Sequence, residues 1–383
     1  MDTTEQQLLA LLRSALWSRP VDVSLFEGGT SWRALFRLAE KQTVVGLVYD
    51  AVLTLPQALQ PDGDLLRTAH LHTIRTAQSH QLLNTTLTQL VQRLQAEGFR
   101  PVLLKGQGVA LNYPHPLRRN CGDIDLYVGE PDYPRVCRLL HQWNMPGEDA
   151  IESIQHLHFN YHGVSLEIHR IAGVLFNSRR NRLFRQWSDD LLQGDTCRTV
   201  CIDQAEILLP PVRFDAFFIF YHTYKHFLTG GVGLRQLCDW ALYLHAFSRQ
   251  IDRPALLQDL NRFHLLRPWQ IMGQIAVRHL GLPQEEFPFF LSDGKAQRRA
   301  EAMMEPVLQN GNFGFHAPQR TARPDGYLAG KMHSFRLIHR HLWRVYPLYP
   351  ADTLSYYRTY LTKGIARLYK DKFTTPTITG TTE

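Results

Sequence analysis

Asp123 and Asp125 stand one residue apart in the apolar run Asp123-Ile124-Asp125-Leu126-Tyr127-Val128, 17 residues after Gly106. Alternate residues of a β-strand share a face, so both carboxylates point one way while Ile124, Leu126 and Val128 anchor the strand. Two carboxylates a few ångströms apart repel each other unless a cation stands between them, and hard oxygen donors suit Mg²⁺. A metal held there can hold a nucleotide's phosphates. The same doublet on the wet face of an edge strand would be inert, and it is the neighbours that favour chemistry. Lys105-Gly106 closes an apolar run, Arg118-Arg119 precedes the carboxylates, and Glu167 sits in a second alternating run, Val164 to His169.

Positioning these groups requires a small sheet backed by helices. Leu83, Leu87, Leu90, Val91 and Leu94 recur with helical spacing, and Gly98 marks the end of that helix, which should lead into a strand at Val102 to Leu104. Gly108 to Pro114 reads as a short helix behind a glycine turn. Pro131 suits the first turn of the next helix, with Tyr133, Val136, Cys137, Leu140 and Trp143 as its buried stripe. His158 to Tyr161 and Ser165 to His169 flank His162-Gly163-Val164 as a hairpin that would bring Glu167 beside the aspartates. The chain is helical again beyond about 205, notably at Phe214 to Phe227 and Leu234 to Phe247, joined at Gly230-Gly231, with further helices to about 305. The expected class is α+β, a small mixed β-sheet core flanked by N-terminal and C-terminal helical domains. Its expected divisions are residues 1–98 (helical), 99–205 (core), 206–330 (helical, closing a cleft), 331–372 (basic, aromatic-rich, helical) and 373–383 (tail). A loop containing Gly311 to Gly314 and Pro318 to Gly326 should separate the basic region, and Thr374 to Glu383 reads as a disordered tail.

The order Gly-x, then Asp-Ile-Asp, then a later strand carboxylate resembles the nucleotidyltransferase superfold of polymerase beta and the aminoglycoside nucleotidyltransferases. More narrowly, Lys105-Gly106, Tyr113-Pro114, Arg119, Asp123 to Leu126, Glu167-Ile168-His169, His222-x-x-Lys225-His226 and Gly233 to Asp239 resemble a bacterial family described as uncharacterised nucleotidyltransferases. The likeness runs from near Trp32 to near Gly314. It implies transfer of a nucleoside monophosphate from an NTP, with ATP the default, to an acceptor hydroxyl, releasing pyrophosphate. Asp123 and Asp125 would bridge two Mg²⁺ (or Mn²⁺) ions about 4 Å apart and Glu167 would complete the acceptor-side ion. Lys105, Arg119 and the amides of Gly106, Gln107 and Gly108 would meet the triphosphate, and Lys225, Arg235 and Asp239 would line the cleft from the helical domain. Of Arg118 and Arg119, the resemblance favours Arg119, whose spacing to Asp123 fits it better. Each has the alternative of a solvated loop arginine, and Arg235 with Asp239 that of an i, i+4 helix ion pair. His169 shares a strand face with Glu167, either to orient an acceptor or phosphate or as a structural histidine. One departure stands out: the superfold's turn is Gly-Ser or Gly-Gly, and here it is Gly106-Gln107, so a phosphate-binding hydroxyl is missing.

Bulk properties narrow the field. At 383 residues, 44% hydrophobic and 20% charged, the chain is globular in composition and long enough for two or three domains. It has no run near the roughly 20 apolar residues of a spanning helix, and Leu8 to Trp17 is preceded by Asp2 and Glu5, the reverse of a secretory leader, so a cytoplasmic protein is expected. Five cysteines without Cys-x-x-Cys spacing fit reduced thiols, and His222 with His226 lacks an evident third zinc ligand. Nine Lys or Arg against Asp352 and Asp371 between Lys331 and Lys372 equal the whole net charge of +7. Interleaved with aromatics, that stretch could meet RNA or an anionic membrane, or form a solvated helix face. The competing functions are a degenerate, regulatory nucleotide binder, which Gln107 favours, and a nucleic-acid module using the basic region. A phosphotransferase lacks its glycine loop and His-Arg-Asp signature.

Overall fold

A computed structural model describes residues 1–147, 155–312 and 326–373. Most of the loop expected from Gly311 to Gly326, and the whole of the tail from Thr374 to Glu383, lie outside the described residues. The first helix, α1 (Thr3–Trp17), opens on a reciprocal cap in which Asp2 and Glu5 each accept the other's backbone N–H at 2.9 Å. Helices α2 (Ser24–Glu27), α3 (Trp32–Lys41) and α4 (Val45–Val52) follow it, then the long α5 (Gly63–Ala96). As expected, α5 ends at Gly98, whose φ of +82° lets Phe99 N–H return to the Leu94 carbonyl at 3.0 Å.

The six strands are β1 (Val102–Leu104), β2 (Asp123–Tyr127), β3 (His156–Tyr161), β4 (Val164–His169), β5 (Arg198–Ile202) and β6 (Ala205–Leu209), in spatial order β3-β4-β2-β1-β6-β5. The β2–β4 and β1–β6 pairs are parallel and the rest antiparallel, so the sheet is mixed. The β3–β4 turn has two residues, His162 (φ 51°) and Gly163 (φ 81°), the paired positive angles that match hairpin twist. It is one residue shorter than expected because Val164 already pairs with Tyr161.

Two helical expectations are corrected. The short helix α6 (Gly106–Ala110) begins at Gly106, not Gly108, so the glycine turn is its first turn. Gly108 is a packing residue: a Cβ there would lie 2.6 Å from Leu209 Cδ2, so only a bare backbone brings α6 this close to β6. In α7 (Gly129–Gln142) Val136 and Leu140 are fully buried, while Tyr133, Cys137 and Trp143 are half-buried at the rim, Trp143 beneath the Arg93 guanidinium at 3.8 Å.

One sheet face is apolar: Leu103, Ile124, Leu126, Leu166 and Ile168 pack on Leu87, Leu90 and Leu94 of α5 and on Val136 and Leu140 of α7. Each such burial contributes about 1.5–3 kcal/mol. The other face carries the polar residues and meets the helical part. That part comprises α8 (Ser178–Gln193), α9 (Val212–Thr229), α10 (Leu234–Phe247), α11 (Arg253–Arg262), α12 (Leu266–Gln274), α13 (Gly294–Asn310), α14 (Tyr327–Val345) and α15 (Pro350–Phe373). Its centre is aromatic, with Trp240 and Trp269 edge-on at 4.8 Å and Phe287 against both. The basic stretch docks on α9: Leu342 and Val345 are buried, His341 Nε2 lies 2.9 Å from the Phe227 carbonyl, and Tyr224 donates to Asp352 at 2.8 Å. Arg336 and Arg340 are exposed, whereas Arg344 reaches Gln309 and Glu305. All five cysteines are free, and no helix among the described residues is long and apolar enough to cross a membrane.

Candidate active site

Strand register assembles the acidic group. Asp125 lies opposite Glu167 across the parallel β2–β4 pair and opposite Leu104 across β1, so Lys105, the next residue along, arrives beside it. Asp125 is buried, and its Oδ1 accepts from Lys105 Nζ at 3.2 Å and lies 2.8 Å from His169 Nε2. The same His169 nitrogen is 3.3 Å from Glu167 Oε2. Lys105 holds φ 54° and ψ −135°, a conformation L-residues rarely adopt, and Gly106 follows at φ 46°. That bend turns the chain from β1 into α6 beside the carboxylates.

The two aspartates differ in charge. Burial opposes ionisation of Asp125, but Lys105 and His169 overcome it and hold the carboxyl well below its usual range. Burial, then the neighbouring Asp125 charge, pushes Asp123 up to about 6. Burial disfavours the charged form of His169 too, yet hydrogen bonds to Asp125 and Glu167 raise it above the ordinary histidine value. Asp123 is therefore the carboxyl of the group that resists ionisation, while Asp125 and Glu167 are held charged. Asp125, Glu167 and His169 each offer a donor atom within 4.8 Å of the others. The two carboxylates of this set fit a hard divalent cation, and His169 Nε2, already bonded to both, orients them.

A cavity of about 320 Å³ separates the sheet from the helical part, within the size range of small-ligand sites. Lys105, Gly106, Asp123, Asp125, Glu167 and His169 form one wall, and α9 and α10 supply His222, Lys225, His226, Arg235 and Asp239 on the other. Burial, followed by repulsion from Lys105, lowers His222 far below the ordinary value and His226 to about 3, so both rings are neutral at pH 7. Their rings are 4.4 Å apart, and among the described residues no third donor makes a metal group with them.

Several expected residues occupy more specific positions than spacing indicated. Arg119 reaches the cavity wall, but its guanidinium is bound in a fork by Asp239: Nε donates to Oδ1 at 2.7 Å and Nη2 to Oδ2 at 2.8 Å. Tyr113 donates to the same Oδ1 at 2.6 Å, and Arg119 Nη1 lies 2.8 Å from Cys121 Sγ. Asp239 is thus the anchor of a buried brace between the sheet and α10. Its i, i+4 contact with Arg235 is loose, at 3.8 Å, and Arg235 also donates to Thr43 at 3.2 Å. Arg118 turns to Asp50 at 3.3 Å. Lys225 Nζ lies 3.4 Å from Gln155 Oε1. Gln107 and Gly108 do not line the cavity: the Gln107 amide is buried beneath the Asp123 carbonyl, 3.4 Å away.

Sequence reasoning missed His156 and His158 of β3, which flank Glu167 with Nδ1 atoms 3.5 Å from its two oxygens. Their one-residue spacing beside Glu167's strand was the available signal. It also missed Gln155 and Asn312, which reach the cavity from distant loops and left no local pattern.

No curated protein matches the chain. Among solved structures, an antigenic nucleotidyltransferase-like protein from Paracoccidioides brasiliensis is 17% identical, over 51% of this chain and 92% of that one, with a TM-score of 0.32. At that TM-score the likeness carries no weight. The profile of the uncharacterised nucleotidyltransferases matches residues 28–281, about two thirds of the sequence and all six strands, and the chain belongs to that family.

Proposed function

We propose that the protein transfers a nucleoside monophosphate from a nucleoside triphosphate, with ATP the first candidate, to an acceptor hydroxyl, releasing pyrophosphate. The observation that supports this best is the in-register meeting of Asp125 and Glu167, with Asp123 two residues away, on one wall of a cavity that also receives Lys105, Lys225 and Arg235. Asp123, Asp125 and Glu167 would hold Mg²⁺ or Mn²⁺. When bound, such ions offset the charge of the phosphates and of the attacking and leaving oxygens.

The chain's own contribution is positioning and electrostatics, the terms that dominate such transfers. Lys105, Lys225 and Arg235 place positive charge around the cavity where a triphosphate would lie. Gly106 lets the backbone approach a phosphate without a side chain intervening. Arg119 and Asp239 act one step back, fixing α10 and hence Arg235 against the sheet. Glu167, on the acceptor side, would draw the proton from the attacking hydroxyl, and His169 would fix the orientation of Asp125 and Glu167.

The test is transfer of label from α-phosphate-labelled nucleoside triphosphates into small-molecule, protein or RNA fractions, with pyrophosphate measured in parallel. Asp125→Asn and Asp123→Asn should each reduce transfer at least about a hundredfold without unfolding the chain. Transfer that survives in either folded variant, or release of ADP in place of pyrophosphate, would overturn the proposal. A second reading, nucleotide binding without turnover, is favoured by one observation: Gln107 turns under Asp123, so neither a hydroxyl nor its own amide replaces the phosphate ligand missing from the turn. Saturable metal-dependent nucleotide binding with no labelled product would select it.

A further inference from the structure

The β3–β4 hairpin carries a second set of donors beside the carboxylates. In the antiparallel register His158 faces Glu167 and His156 faces His169, and the two-residue strand period puts His156 and His158 on the same side as Glu167. The carboxylate lies between the rings, with Oε2 at 3.5 Å from His156 Nδ1 and Oε1 at 3.5 Å from His158 Nδ1. A donor atom from each of the three residues falls within 4.8 Å of the other two. A direct N–H to carboxylate hydrogen bond would close these gaps to about 2.9 Å. Ligand atoms around a tetrahedral cation with bonds of about 2.0–2.2 Å stand roughly 3.4 Å apart, and the two N···O separations, one to each carboxylate oxygen, are close to that spacing.

Donor chemistry narrows the ion. Two imidazoles and one carboxylate suit a nitrogen-accepting transition cation, whereas Mg²⁺ favours all-oxygen surroundings and retains its waters. The His158 side chain is 43% exposed and that of Glu167 17%, leaving an entry path and room for water as a fourth ligand. We propose that His156, His158 and Glu167 form a binding site for a divalent transition cation of the zinc class, with one position open to water. The site goes beyond the transferase reading: it requires no nucleotide, and only Glu167 is common to both.

Full-length protein stripped with a chelator is titrated with Zn²⁺ alone, without nucleotide, against a chromophoric competitor. One equivalent should bind with a Kd at or below about micromolar, and millimolar Mg²⁺ should not displace it. His158→Ala, at an exposed edge-strand position, and the His156→Ala/His158→Ala pair should each weaken binding at least about a hundredfold with unchanged circular dichroism. His162→Asn, at the exposed turn of the same hairpin, should bind as the parent does. In the Co²⁺-loaded protein the visible bands of nitrogen-ligated cobalt should disappear in the double variant. Absence of stoichiometric Zn²⁺ binding, or equal affinity in the folded double variant, would overturn the inference. Zn²⁺ binding by a chain that transfers no nucleotide would uphold it while overturning the transferase reading.

Discussion

Asp123 and Asp125 are the same residue type two positions apart, yet their surroundings put them in opposite charge states in the slightly acid range. Asp125 stays ionised, while Asp123, raised to about 6, keeps its proton until near neutrality. A divalent ion must displace that proton. Affinity for Mg²⁺ with ATP should therefore climb by up to about tenfold per pH unit below 6 and level off above it, which calorimetry at several pH values can measure. A flat profile would mean that Asp123 is not a ligand. The metal-free protein should show the opposite trend. Below about pH 4 both folded and unfolded chains hold the proton, and between about 4 and 6 the unfolded chain ionises first, so stability falls as pH rises. Asp123→Asn should remove that fall and stabilise the metal-free protein at pH 7 by on the order of 1 kcal/mol, by urea titration. Arg119 and Asp239 make a different prediction. Removal of either partner alone, as in Arg119→Met, should cost about 3–5 kcal/mol by leaving a buried charge unmatched, and Arg119→Met with Asp239→Leu should recover much of the loss. A double-variant loss equal to the sum of the two single losses would show that the pair is not coupled.

At the scale of elements, what could be read from the sequence was whatever depends on local periodicity. Alternation placed Asp123 and Asp125 on one face, the i, i+4 and i, i+7 pattern located the last turns of α5, and Gly98 marked its end, because each is set within a few residues. The start of α6 was misjudged because Gly106 and Gly108 have poor helix propensity and only packing on Leu209 explains the helix. His156 and His158 were overlooked because an alternating strand bearing polar residues looks the same whether its polar face is wet or lines a site. The Arg119 to Asp239 link spans 120 residues and no spacing rule reaches it. Packing decides one prediction against propensity as well. In α12 alanine is a better helix former than glycine by up to about 1 kcal/mol, but a Cβ at Gly273 would stand 2.1 Å from the Phe287 ring. Gly273→Ala should thus destabilise by about 1–3 kcal/mol. A gain in denaturation midpoint would show that Phe287 moves aside freely.

For the whole molecule, the cavity between sheet and helices makes ligand binding a stabiliser of both parts at once. Mg²⁺ and ATP together should raise the Tm by more than either alone, since a ligand at a hundred times its Kd adds about 2.7 kcal/mol to the folded state. Scanning calorimetry with no metal-dependent shift at millimolar ATP would count against the nucleotide site. The brace of Tyr113, Arg119 and Asp239 crosses the same boundary, and it has an evolutionary consequence. A lineage that loses the arginine first, or the aspartate first, must pass through a protein with an uncompensated interior charge, so selection acts on the two codons as one. Substitutions on the solvent face of either part can drift independently. The pair that closes the cleft should change together or remain fixed, even in descendants that have changed their substrate.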